Sequence, residues 1–341
     1  MILRSIFEAG IQIAEPFDFH LVAQGGSVHA RLDPPLEGPS DGRPRNGLVI
    51  VESKLEDESI EAALLERGSE APIQAGSDEL KAFGDRTWRE HTEIAERCVG
   101  YLRWRLNLDG GPQAIVAGKE FTWTATDGQS GTVPQSFKFI FWTGVSRSKG
   151  ERRFVPPDAG GAILEGPREP LGHELLREAI ALLQTNPRAS LVMGITALEV
   201  GVKTSIAELA PDTRWLLEKT QSPAIDQLLG SYLPTIRSPA SDLGALPLRR
   251  ETLGEVGNAI SARNDLVHRG EIRTGNPLLR PGGTELSSER LSELLRTIHG
   301  ILYRLDAYRG HRWAMHFARG PRLVLGDAAR SAPVRRKRPG A

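Results

Sequence analysis

The stretch Ala259-Ile260-Ser261-Ala262-Arg263-Asn264-Asp265-Leu266-Val267-His268-Arg269-Gly270 governs the reading of the second half of this chain. At about 100° per residue, Val256, Ile260 and Val267 fall in one narrow sector. That periodicity predicts a helix over about Arg250 to His268, with Gly270 placed to end it. Arg263 points into the same sector. A guanidinium inside an apolar stripe is costly unless it meets an anion or lies at a polar interface. Asn264 and His268 are four apart and share a neighbouring face.

These residue types suggest a chemistry. An arginine fork clamps phosphate oxygens, and a histidine can move protons near neutral pH. Together they could cut a phosphodiester without a metal. A plain alternative stands beside this one: the spacing is chance, and His268 caps the last turn, favoured by the helix dipole. Arg263 and His268 are also about 140° apart on an ideal helix. A dimer seam or a distorted helix end is needed for them to meet at one atom.

Working outward, the same half reads as helices throughout. One runs from Leu171 to Gln184. The next runs from about Ala189 to Leu209, with Leu191, Ile195, Leu198, Val202, Ile206 and Leu209 at helical spacing, and Pro211 ends it. Glu199 sits at the edge of that helix's apolar stripe and is a candidate partner for Arg263. A shorter segment covers Ala224 to Tyr232 and stops before Pro234. The last long helix covers about Glu285 to Tyr308.

The first half reads mostly as strands. Phe17 to Val22 and Val28 to Leu32 flank a hairpin turn. Gly47 to Val51 is a short buried strand. Phe121 to Ala125 alternates and reaches the turn signal Asp127-Gly128, and Phe137, Phe139 and Phe141 alternate in the next strand. One helix is expected among them, from about Asp78 to Leu106. Residues 33–46 read as a loop. The expected fold class is α+β: a strand-rich N-terminal domain (1–150), a Gly/Pro-rich linker (151–170), a helical bundle (171–318) and a basic Pro/Arg-rich tail (319–341).

Composition narrows the function classes. With 341 residues, 39% hydrophobic and 25% charged, the chain fits about two ordinary globular domains. There is no signal-peptide pattern at the N-terminus and no apolar run near the roughly 18 residues of a membrane span, so a cytoplasmic location is expected and no membrane partner. The single Cys98 excludes an internal disulfide and a multi-cysteine metal site. Net charge is zero, but residues 1–150 carry 16 basic against 22 acidic residues and the remainder is +6. The basic half therefore holds the arginine–histidine helix, which is compatible with a polyanionic partner.

Arg263-Asn264-Asp265-Leu266-Val267-His268-Arg269-Gly270 resembles the arginine–four residues–histidine motif of the HEPN superfamily, helical bundles that include many metal-independent endoribonucleases. Ala197-Leu198-Glu199 and the order of helices add to the resemblance, which covers about residues 170–318. The layout is similar to HEPN proteins of phage defence that carry a β-rich N-terminal domain. The resemblance implies a homodimer whose two motif helices meet in a composite cleft for RNA, with no cofactor. In that cleft His268 would be general base or acid, Arg263 would stabilise the phosphate charge, and Asn264 would orient the phosphate or His268. Glu199 would hold Arg263 or fix a histidine tautomer, or make a simple salt bridge. A toxin or antiviral effector would bring an antitoxin or a trigger molecule. The alternative is a HEPN dimerisation or RNA-binding module without catalysis.

Other signals carry less. His91-Thr92-Glu93 mimics a zinc-deaminase pair but lacks the following cysteines. His311, Arg312 and His316 read as surface or packing residues. Trp88, Trp104 and Trp142 are expected in the core, while Trp215 and Trp313 are candidates for base stacking. The Arg335-Arg336-Lys337-Arg338 tail reads as a solvated end.

Overall fold

The computed structural model describes residues 1–11, 17–23, 26–33, 46–68, 76–108, 110–136, 169–214 and 224–318. The chain is mixed α+β. Strands β1 (Ile2–Ile11), β2 (Phe17–Ala23), β3 (Gly26–Asp33), β4 (Leu48–Lys54), β5 (Gly110–Thr124) and β6 (Ser130–Thr132) form one sheet in the order β2-β3-β4-β1-β5-β6. All its pairings are antiparallel. Helices α1 (Glu58–Arg67) and α2 (Asp78–Leu106) belong to the same half.

The hairpin β2–β3, the strand β4 and the turn at Asp127-Gly128 match the sequence reading. In that turn Asp127 Oδ1 accepts from the Gln129 amide (3.0 Å), and Gly128 takes the positive φ of 89°. Three features differ. One of the sheet's two central strands is β1, which the sequence reading leaves unassigned. Among its described residues the half holds two helices rather than one. β5 begins at Gly110, well before Phe121. The expected strand around Phe137, Phe139 and Phe141, the linker 151–168, Trp142, Trp215 and the tail 319–341 lie outside the described residues.

Helix α2 matches its predicted limits. Ser77 Oγ accepts from the Leu80 amide, and Asp78 and Glu79 occupy the positive first turn. Leu80, Phe83, Thr87, His91, Ala95, Cys98 and Leu102 recur every three or four residues and are buried. Through them α2 lies against the sheet's inward face, where Trp88 packs between Phe7 and Phe121. Gly84 is required for this fit, since a Cβ there would stand 1.9 Å from the Pro134 carbonyl oxygen.

The C-terminal half contains α3 (Leu171–Leu182), α4 (Pro187–Leu209), α5 (Arg250–Arg269) and α6 (Ser288–Tyr308), with a short helical turn Ile225–Gln227 running into a π-helical turn Leu228–Tyr232. Helix α4 is the core helix, with Leu191, Ile195, Leu198, Val202 and Ile206 at 0% exposure. Gly194 and Gly201, seven apart on α4, leave room for Leu295 and Leu302, seven apart on α6. Helix α4, though interrupted by Glu199 and Lys203, is long and apolar enough to cross a membrane by length and hydropathy alone. Half of that window is buried inside the protein, and it packs against α3, α5 and α6.

The two halves share a buried polar contact at the end of α2. Trp104 belongs to the helical core. Its Nε1 donates to Asp306 Oδ2 (2.8 Å), which also accepts from His173 Nε2 (2.8 Å). Arg309 closes on the other oxygen of Asp306 and pairs with Glu208 (2.7 Å). Tyr303 Oη donates to the Trp104 carbonyl oxygen (2.9 Å), and His299 Nε2 meets Asn107 Oδ1 (2.9 Å). Burial alone would raise the Asp306 carboxyl. His173, Arg309 and Trp104 outweigh burial and hold it well below the usual carboxylate range.

Candidate active site on helix α5

Helix α5 starts at Arg250 and ends where Gly270 takes φ 77° and returns its amide to the Leu266 carbonyl (3.0 Å). This is the left-handed stop that Gly270 predicted. Its buried residues are Val256, Ala259, Ala262 and Asp265. The sector of Val256, Ile260, Arg263 and Val267 is therefore not the buried stripe throughout. It is sealed at Val256, half-buried at Ile260 and exposed at Val267, which is 54% accessible. The successive buried residues are three apart, so the inward face drifts around the helix and leaves that sector at the margin of the core.

Arg263 lies on that margin, at the seam with α4. Its Nη2 donates to Glu199 Oε2 (3.2 Å), and Glu199 Oε1 accepts from Lys203 Nζ (2.8 Å) one turn further along α4. All three side chains keep between 23% and 32% of their surface. Arg263 Nε is buried without an acceptor among the described residues. The structure thus joins the two residues, 64 apart in sequence, that the sequence reading paired.

Asn264 and His268 are brought to the same exposed side of α5, one turn apart. Neither side chain has a hydrogen-bond or ion-pair partner among the described residues, and Val267 stands exposed between them. Arg263 does not converge with His268 within one chain: the first turns toward α4, the second toward solvent.

The sequence reading missed Asp265. It is 4% exposed on the inward face, and Arg273 Nε donates to both of its oxygens (2.9 and 3.0 Å). Arg269 stands 3.9 Å away. The Arg273 hydrogen bond holds the Asp265 carboxyl below its ordinary range. Asn276 Nδ2 donates to the Asn258 carbonyl (3.1 Å), so the segment after Gly270 folds back along α5 and is tied at two points. A readable signal existed in the Asp265–Arg269 spacing of four.

The remaining candidates resolve into packing or surface contacts. His91 is buried between Ser5 Oγ (2.7 Å) and Ser53 Oγ (2.9 Å), and burial pushes its imidazole down to about 4. Cys98 is buried, and burial pushes its thiol up to about 12. Trp313 is not free to stack on a base: it packs edge-on to Trp104 and carries the Arg105 guanidinium 4.4 Å over its ring. Arg312 pairs with Asp242, and His311 packs on Trp104. Among the described residues no group of three or more His, Cys, Asp or Glu side chains could hold a metal ion.

No protein-family model, curated protein or solved structure matches this chain.

Proposed function

We propose that this chain is a HEPN-type endoribonuclease whose cleft forms where two copies bring the C-terminal ends of their α5 helices together. The observation that carries this reading is the Glu199–Arg263 contact. It fixes a guanidinium at the α4–α5 seam, beside exposed Asn264, Val267 and His268 on the same helix end. A half-buried guanidinium held from one side by Glu199 is suited to meet an incoming phosphate with its accessible edge.

In the proposed step, one His268 takes the proton from a ribose 2′-hydroxyl, whose oxygen attacks the adjacent phosphorus. The bond from phosphorus to the 5′-oxygen breaks, and that oxygen takes a proton from the His268 of the second copy or, more slowly, from water. The products are a 2′,3′-cyclic phosphate and a 5′-hydroxyl. Arg263 carries the charge that builds on the phosphoryl oxygens. DNA lacks the attacking hydroxyl and resists cleavage.

The competing reading is a HEPN bundle that dimerises or binds RNA without cutting it. The divergence of Arg263 and His268 within one chain favours it. Mixed dimers separate the two. Arg263→Ala and His268→Ala proteins are each inactive alone, but together they regain part of the cleavage, because the mixed cleft retains one arginine and one histidine. A mixture that exchanges subunits, shown by tagged copies, and still cuts nothing contradicts the composite cleft.

A further inference from the structure

At the far end of α5 from His268, an open groove runs between the helix's first turn and α6, and Arg249, Arg296 and Arg304 line it. Glu293 is the acidic residue of its lining, so the groove carries excess positive charge. Arg304 Nη1 is anchored on the Ala245 carbonyl (3.2 Å), which fixes its head at the wall. Arg296 Nε is buried with no acceptor among the described residues.

Helix α5 also begins without a side-chain cap. Its N-cap position is Arg249 and its first residue is Arg250, where a Ser, Thr, Asp or Asn is usual. Two cations at the positive end of a twenty-residue helix repel its dipole, and Glu251 in the first turn offsets only one of them. Such an arrangement is stabilised by an anion that accepts from the free first-turn amides and from the arginine forks together.

We propose that this groove binds a phosphoryl oxyanion, supplied either by an RNA backbone or by a free phosphate compound. Arg249 and Arg263 are about 21 Å apart along the axis. The groove is thus separate from the candidate cleft, and its occupancy does not require that cleft to cut anything.

The test measures binding by the full chain. The probes are inorganic pyrophosphate and a short 2′-O-methyl oligoribonucleotide, which cannot be cleaved by 2′-hydroxyl attack. An Arg249→Ser/Arg296→Met variant is expected to lose tenfold or more in affinity. For the oligonucleotide, its slope of log affinity against log salt falls by about 1.4, as the loss of two single-strand phosphate contacts requires. Should the double variant not fold, Arg249→Ser alone, at an exposed position, is expected to show a smaller loss in the same direction. Binding of pyrophosphate alone assigns the groove to a free phosphate compound, and binding of the oligonucleotide assigns it to RNA. The proposal is overturned if neither probe binds the wild type, or if a folded variant binds both as tightly as the wild type.

Discussion

Glu199 decides what Arg263 can do. It holds the guanidinium from one side, and Nε is buried without an acceptor among the described residues. Because these side chains are partly exposed, the pair contributes at most about 1 kcal/mol to stability. Its larger role in this account is orientation. Glu199→Gln is therefore expected to shift the melting temperature little and to lower kcat for RNA cleavage tenfold or more. A kcat equal to the wild type's would leave Glu199 as a salt bridge and nothing else. This pair was legible in the sequence, since two charged residues stood at the edges of two apolar stripes. Asp265 was not. Its partner Arg273 lies beyond Gly270, where the chain turns back, and helical periodicity says nothing about where a returning loop docks.

At the scale of elements, α2 and β1 show why one was readable and the other was not. Helix α2 has a side-chain cap, an acidic first turn and an apolar face on the helical period. Strand β1 inverts the usual marks. Ser5 points inward to His91, while Ile2 and Ile6 lie on the more exposed face beside Arg4 and Glu8. Alternation therefore read as noise. Helix α1 is ten residues long, and its one clear signal was Asp57, whose side chain accepts from the Ser59 and Ile60 amides. The same buried His91 makes a prediction. Burial lowers its folded pKa to about 4 from an unfolded value near 6.5, so the unfolded chain binds the proton first as pH falls. Its contribution is complete above about pH 6.5 and declines toward pH 4, by up to about 3 kcal/mol. Urea midpoints measured across that window are expected to fall less steeply for His91→Gln than for the wild type. Parallel curves would show that His91 is not the group responsible.

The whole molecule is tied together at Asp306. One carboxylate accepts from Trp104 of the sheet-bearing half and from His173, and pairs with Arg309, inside the helical core. Glu169, bound by Arg103 (3.4 Å) and Arg177 (2.8 Å), adds a second tie across the same boundary. Removing one member leaves other buried charges uncompensated, which costs about 3–5 kcal/mol. Asp306→Asn is expected to destabilise by that amount and to separate one unfolding transition, followed by tryptophan fluorescence and circular dichroism, into two. A single transition at the wild-type midpoint would contradict the tie. This contact was beyond sequence reading, because its members are as many as 202 residues apart and none repeats with a period.

At this scale the α+β class and the helical second half followed from periodicity, whereas the functional reading rests on a short motif and the geometry around it. The most direct test is cleavage of a mixed RNA pool in EDTA by the wild type and His268→Ala, each first shown by light scattering to be a dimer. The account predicts cutting by the wild type alone, with 2′,3′-cyclic phosphate ends. Equal cutting by both proteins, or none by a well-folded wild-type dimer, would contradict it.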